Sequence, residues 1–281
     1  MMMYATTKTE DLDVKIEKAI RLLQSIKTDC LEVSYSGGKD SDVILALCRM
    51  AGVKIKIIHK CTTIDPPGTL SHCKQVGADI IRPEKSMFEI IRNNGFPTRR
   101  SRHCCGILKE YKVLPIAVQG IRKSESVKRR KLYKEPIICR TYGNKKNKAQ
   151  IILPILEWSD KDVELFVKRQ NITLHPIYYN NGQLDMSKRL GCIGCPMASD
   201  NGLSGFKNYP KMVKAWIDNG KIWWDTHPNA SSHFKFKNIY EVFVHNVFFN
   251  SYEKFKDAVS DSINGPIDCK TFLENYFNIK L

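Results

Sequence analysis

Three groups of residues in this 281-residue sequence have the types and spacing to do chemistry. In Ser36-Gly37-Gly38-Lys39-Asp40-Ser41, two glycines let the backbone wrap closely around an anion. Lys39 adds a point charge, Ser36 and Ser41 add hydroxyl donors, and Asp40 can hold Mg²⁺ beside phosphates or cap a helix. The segment Gly120-Ile121-Arg122-Lys123-Ser124-Glu125-Ser126-Val127-Lys128-Arg129 carries two arginines seven apart, and Glu125 on a shared helix would orient the Arg129 guanidinium. Four cysteines form two pairs, Cys104-Cys105 and the pair within Cys192-Ile193-Gly194-Cys195-Pro196. Brought together, they suit a tetrahedral zinc or an iron–sulfur cluster. Adjacent cysteines fit the zinc spacing poorly, which favours the cluster; a redox disulfide and plain buried thiols are the other readings.

The elements around these residues form a pattern. Asp11 to Ile26 has helical apolar spacing, and Cys30 to Tyr35 reads as a strand. The glycine loop follows, then a helix from Ser41 to Met50 closed by Gly52 and a strand from Val53 to His59. Strand, turn, helix, strand is a βαβ unit, so we expect an α/β fold with an open, mostly parallel twisted sheet flanked by helices. Further short strands are expected at Ile80 and Ile81, Ile116 to Gln119, and Gln150 to Leu153. Helical stretches are expected at Met87 to Asn93 and Cys105 to Val113, with another capped by Ser159 and Asp162. The loop is not a Walker A motif, because Val33 stands where that motif needs glycine. From Ser199 the chain turns aromatic, so we expect a domain over 1–198 and a mainly helical region over 199–281. Those aromatics read as a satellite core, with a base-stacking platform as the alternative.

Forty-five Lys and Arg against 29 Asp and Glu give a formal charge of +16, which points to anionic partners. Of this excess, +13 lies between Arg99 and Lys148, so the charge is local and keeps nucleic acid open as a partner. No stretch of 18 apolar residues occurs and the first residues are polar, so a soluble cytoplasmic protein without membrane association is expected. Ten cysteines in a chain of this size point to metal or redox chemistry rather than a disulfide framework.

The string SGGKDS resembles the PP-loop of the ATP-pyrophosphatase and sulfonucleotide reductase superfamily. The pattern G-x-R-x-x-E-S-x-x-R from Gly120 to Arg129 resembles the second nucleotide-contacting segment of the phosphoadenosine phosphosulfate (PAPS) reductase family. Thr62 and Thr63 with Pro66 and Pro67 look like that family's threonine and proline loop. The cysteine order resembles the ligand set of 4Fe-4S adenylyl sulfate reductases. The resemblance implies an adenine nucleotide, whether adenylyl sulfate, PAPS or ATP with Mg²⁺, held by Ser36, Gly37, Gly38, Lys39, Asp40, Ser41, Thr62, Gly120, Arg122, Glu125, Ser126 and Arg129. It also implies a 4Fe-4S cluster on Cys104, Cys105, Cys192 and Cys195, with Lys39 serving catalysis.

Two reactions follow from the resemblance. In one, an adenylyl sulfate is reduced to sulfite with thioredoxin or glutaredoxin as thiol donor. In the other, ATP adenylylates nucleic acid or another acceptor for sulfur insertion, as in DNA phosphorothioation or tRNA thiolation. A cluster-containing nucleic-acid-binding protein without catalysis is the third reading. The family's nucleophilic C-terminal Glu-Cys-Gly-Leu-His tail has no match here; Cys269, between Asp268 and Lys270, is the candidate nucleophile in its place.

Overall fold

The structure, a computed structural model, describes residues 11–111, 114–142, 147–260 and 267–281. The chain starts with α1 (Leu12–Gln24), β1 (Leu31–Ser34), α2 (Lys39–Met50), β2 (Ile55–Lys60), α3 (Thr69–Gln75) and β3 (Asp79–Ile81). It continues through α4 (Met87–Asn94) and α5 (His103–Leu108) to β4 (Ile116–Val118), α6 (Val127–Leu132), β5 (Ile137–Tyr142) and β6 (Asn147–Ile152). After α7 (Asp160–Arg169) come a hairpin of β7 (Tyr179–Asn180) and β8 (Gln183–Leu184), then α8 (Leu203–Asn208) and α9 (Pro210–Thr226). The tail carries α10 (Ile239–Phe248), α11 (Tyr252–Ser260) and α12 (Cys269–Phe277).

The expected α/β class is what forms. Six strands pair in the order β3-β2-β1-β4-β6-β5, all neighbours parallel except β5 against β6. Val33, Ile58, Val118 and Ile152 are buried, as parallel strands covered on both faces require. The chain runs outward from β1 through β2 to β3 and then crosses to the other side of β1 with β4. This makes the carboxyl ends of β1 and β4 a topological switch point, the place where open α/β sheets bind ligands. α2 begins at Lys39, two residues before the expected start, so the lysine of the loop lies in the first helical turn. Strand β5 had no sequence expectation, because its Ile-Ile-Cys-Arg-Thr-Tyr run lacks a clean alternation. The expected helix from Cys105 to Val113 shortens to α5; Lys112 and Val113 lie outside the described residues.

By compactness the chain divides into two interleaved units. One comprises residues up to Lys60, Pro67–Ile81 and Glu110–Leu190; the other comprises Cys61–Pro66, Arg82–Lys109 and Gly191–Leu281. The sheet unit packs Leu23, Val33, Leu45, Trp158 and Phe166 into its core. The helical unit packs Met87, Ile90, Phe206, Trp216, Phe243 and Leu273 into its own. That second core absorbs many of the tail's aromatics, with Phe96 meeting Trp216 and Phe243 and Phe206 meeting Trp216. Among the described residues, no helix is long and apolar enough to cross a membrane.

Candidate functional site

In the sheet unit, the switch point joins the two anion motifs. Gly37 bends the loop with a φ of 77°, and in the first turn of α2 the N–H groups of Ser41 and Asp42 turn back onto Gly38 O at 2.8 and 3.1 Å. Ser41 Oγ donates to Gly38 O at 2.7 Å and Ser36 Oγ donates to Ser41 Oγ at 3.3 Å, so both expected serines shape the loop. Gly120 follows β4, and a Cβ there would sit 2.8 Å from Asp40 O. Only a glycine lets the two segments approach so closely.

Arg122 occupies a place the sequence did not suggest. It is 1% exposed, and its guanidinium is divided among three protein groups. Nε donates to Asp40 Oδ1 at 2.8 Å, one terminal nitrogen to Ser124 Oγ at 2.7 Å, and the other to Asp160 Oδ1 at 2.8 Å. An arginine engaged on three sides ties the second motif to the first rather than facing a ligand. Glu125 accepts from the Arg122 backbone N–H at 3.2 Å and pairs with Arg129, so the expected i,i+4 pair forms. Ser126 caps α6, accepting from Arg129 N at 3.1 Å.

What remains facing outward is positive. Lys39 Nζ donates to Met186 O at 2.8 Å and Lys188 O at 3.2 Å, and lies 5.5 Å from the Tyr178 ring centre. Burial pushes its pKa down; Asp40 opposes this, and Arg122 and Arg189 add to the depression. Arg129 is depressed by burial first and then by Arg189. Arg189 thus acts on both Lys39 and Arg129, a positive field that a bound anion would relieve.

Several residues here escaped the sequence reading. Tyr178 is buried, and its hydroxyl accepts from the N–H groups of Lys39 at 3.2 Å and Leu190 at 3.3 Å. Beneath the loop, Tyr35 donates to Asp42, and His72 Nε2 lies 3.1 Å from the same carboxylate. All three are buried, and they fasten the end of β1 to α2 and α3. Asp42 follows the loop directly and was legible as a motif neighbour. His72 and Tyr178 have no local signal, because their partners are distant in sequence.

The four paired cysteines meet in the helical unit. Cys104, Cys105, Cys192 and Cys195 line one small cavity of about 50 Å³ together with Thr62, Ile64, Lys109 and Trp216. The close packing requires Gly194, which has a φ of 71° and whose absent side chain leaves the room that the Phe206 ring takes. Thr62 was expected at the nucleotide. It belongs to this unit, donating to Asp65 Oδ1 at 2.7 Å and lying 3.6 Å from Cys192 Sγ, which donates to it.

Cys104 is pushed up by its hydrogen bond with Cys105, by burial and by the neighbouring thiols, and Cys195 by burial and Cys192. Lys109 is held charged by the Cys192 thiol group beside it, against the effect of burial. All ten cysteines are free. Among the described residues, no group of three or more His, Cys, Asp or Glu side chains stands as the ligand set of a metal ion.

Cys269, the candidate nucleophile, opens α12 inside the helical core at 3% exposure, and burial pushes its thiol up to about 12. A thiol so protected is the opposite of an exposed thiolate, and Lys270 does not offset the burial.

Comparison with known proteins gives this geometry a family. The chain is 27% identical over 226 residues to an uncharacterized protein of Methanocaldococcus jannaschii, covering 75% of this chain and 52% of that protein. It thus spans about half the length of that curated relative. Among solved structures, PAPS reductase from Candida auris in a phosphate complex aligns with a TM-score of 0.46 at 16% identity, covering 66% of this chain and 96% of that one. The NH3-dependent NAD synthetase of Campylobacter jejuni aligns at 0.41 and 19% identity, covering 58% and 75%. Residues 31–198 match the phosphoadenosine phosphosulfate reductase domain, from the strand before the loop to just past the second cysteine pair, and the chain belongs to that family.

Proposed function

We propose that the chain is an adenine-nucleotide-dependent enzyme of sulfonucleotide chemistry, with the nucleotide's phosphate or sulfate groups seated at the loop after β1. The observation that carries this reading is the meeting of the glycine loop with the Gly120–Arg129 segment at the switch point, where Gly120 packs on Asp40 and Arg122 bonds to it, in a chain of the PAPS reductase family. Gly37 and Gly38 bring backbone N–H groups to the anhydride, and Lys39 leaves the carbonyls of Met186 and Lys188 to meet it. Arg122 acts through Asp40 as a positioning residue.

The reaction we favour is reduction of an adenylyl sulfate. A thiolate attacks the sulfonate sulfur, the adenosine phosphate leaves, and a second thiol releases sulfite while a disulfide forms. With Cys269 buried, both thiols come from the donor, a dithiol protein such as thioredoxin or glutaredoxin. The same burial supports a second reading, in which the loop takes ATP with Mg²⁺ and transfers the adenylyl group to an acceptor with loss of pyrophosphate. Asp40 and the loop hydroxyls would then stand beside the metal.

For Cys104, Cys105, Cys192 and Cys195, which line one cavity without standing as a ligand set, the reading is a 4Fe-4S cluster that draws their thiolates together, one to each iron. When bound, the cluster supplies a redox-active metal centre. Lys109 would balance the negative charge of the thiolates.

Calorimetric titration with adenylyl sulfate, PAPS and ATP plus Mg²⁺ tests the nucleotide reading. We expect micromolar binding of a sulfonucleotide that Lys39→Ala weakens tenfold or more; a preference for ATP with pyrophosphate release supports the second reading instead. Unchanged affinity of Lys39→Ala for every nucleotide would remove the loop from the site. Anaerobically purified protein should be brown with about four irons per chain; colourless protein holding stoichiometric zinc would overturn the cluster.

A further inference from the structure

A second cavity, of about 400 Å³, opens in the helical unit, lined by Arg99, Arg100, Lys235, Phe249, Asn250 and Tyr252 among others. Its chemistry is cationic and aromatic. Arg99 is fixed in place, with Nε donating to Asn201 Oδ1 at 2.8 Å and a terminal nitrogen donating to Ser199 O at 3.2 Å. Arg100 is exposed and makes no hydrogen bond or ion pair among the described residues. The Lys235 ammonium sits 5.8 Å from the Tyr252 ring centre, and the Tyr252 hydroxyl donates to Lys235 O at 2.7 Å, which holds ring and cation together. Glu253 is the one carboxylate among the lining residues, and it faces solvent.

Among the described residues, none of the three cations around this concavity has a carboxylate partner. The fixed Arg99 and the adjoining rings distinguish the place from a solvated charged face. Cations for phosphates, the Tyr252 ring, held by Phe236, His245 and Phe255 and open to a base once Lys235 moves off it to a phosphate, and side-chain amides for base edges make up the inventory of a single-strand binding site. The volume falls in the range of small-ligand pockets and admits about one nucleotide unit. The exposure of Arg99, Arg100 and Lys235 lets a chain continue past the cavity on either side.

We infer that this cavity binds single-stranded nucleic acid, with a base stacked on Tyr252 and the flanking phosphates on Arg99, Arg100 and Lys235. The site stands independently of the nucleotide reading for the sheet unit. It adjoins the cysteine segments in the chain: Arg99 and Arg100 precede Cys104, and Asn201, which holds Arg99, follows Cys195. An occupant therefore meets both cysteine-bearing segments from their outer ends. The net charge of +16 speeds its encounter with a polyanion.

Fluorescence anisotropy with a labelled single strand of roughly 12 nucleotides tests this on the full chain. The double variant Arg100→Glu, Lys235→Glu should bind at least tenfold more weakly at low salt, and the slope of log K against log salt should shrink by about 1.4, two phosphate contacts at about 0.7 each. Tyr252→Ala should lose about tenfold while Tyr252→Phe retains affinity, because stacking needs the ring and not the hydroxyl. Adenine-nucleotide affinity and the thermal midpoint of the Arg100→Glu, Lys235→Glu variant should stay at parent values, which separates a lost site from a lost fold. Three results would overturn the inference: unchanged strand binding by that variant, loss of binding confined to Lys128→Glu, Arg130→Glu on α6, or competition by free nucleoside monophosphates as effective as by the strand.

Discussion

Replacing Arg122 by Met removes one buried guanidinium and leaves three acceptors behind, so the cost can be built from their separate exposures. Asp40 is 21% exposed against an arginine side chain that is 2% exposed, which makes theirs the strongest of the three contacts. A hydrogen bond to a charged group so placed is worth about 1.5–3 kcal/mol. Ser124 Oγ keeps its bond to Trp158 O, at 2.9 Å, so losing the arginine there costs about 1 kcal/mol. Asp160 is 75% exposed and returns to water, which keeps its share below roughly 1 kcal/mol. The sum is roughly 3–5 kcal/mol, or a fall of about 10 °C in the thermal transition of the sheet unit. Arg122→Lys should recover part of this, because one ammonium cannot reach three acceptors in a fork.

Differential scanning calorimetry of Arg122→Met, Asp40→Asn and the double variant gives the coupling, expected to exceed about 1.5 kcal/mol. Nucleotide affinity should fall because Asp40 and the loop are released, and Arg122→Lys should restore part of both quantities together. A variant with parental stability and nucleotide affinity down more than tenfold would refute the reasoning. It would mean that Arg122 leaves its three partners to bind the ligand itself.

Two further predictions concern titration and reactivity. His175 is buried, accepts from Ile177 N–H through Nδ1 at 3.0 Å and so presents its Nε2 proton to Thr69 Oγ1 at 3.3 Å; it must stay neutral to keep both contacts. Burial lowers its pKa from 6.5, with His72 adding to the effect. The unfolded chain therefore binds a proton more readily, and stability present above pH 6.5 is lost as pH falls toward the folded value. Urea melts from pH 7.5 to 5 should show this decline in the parent and a shallower one in His175→Gln; parallel profiles would discard the account. For the thiols, iodoacetamide on native protein should modify exposed Cys139 first and buried Cys269 as slowly as Cys48 and Cys73, and Cys269→Ala should leave nucleotide affinity unchanged while lowering stability by about 1–3 kcal/mol. Rapid modification of Cys269 would restore it as a nucleophile.

Residues that act through their immediate neighbours were readable directly. The loop, its strand and its helix sit together in sequence, so the βαβ start, the Ser159 cap with Asp162 and the Glu125–Arg129 pair could all be written down from spacing and all formed. Strand β5 and the antiparallel edge were not readable, because a short strand at a sheet edge is selected by the partner it finds rather than by its own periodicity. Thr62 and Arg122 carried recognisable motif positions, but that Thr62 lines the cysteine cavity and that Arg122 is buried could not be read from them. A motif fixes residue type and local backbone, whereas the direction of a side chain depends on what packs around it.

The sequence alone determined the class of fold, the two anion motifs and the pairing of the cysteines, since each is written in residues close along the chain. Tertiary structure decided the rest. It set the strand order that joins Ser36–Ser41 with Gly120–Arg129 at the switch point, and added Arg189 and Tyr178 to that site from a segment distant in sequence. It gathered Cys104, Cys105, Cys192 and Cys195 around one cavity, and it buried Cys269. Contacts of this kind arise where apolar surface is hidden from water by whichever segments fit, and no local pattern specifies which those will be.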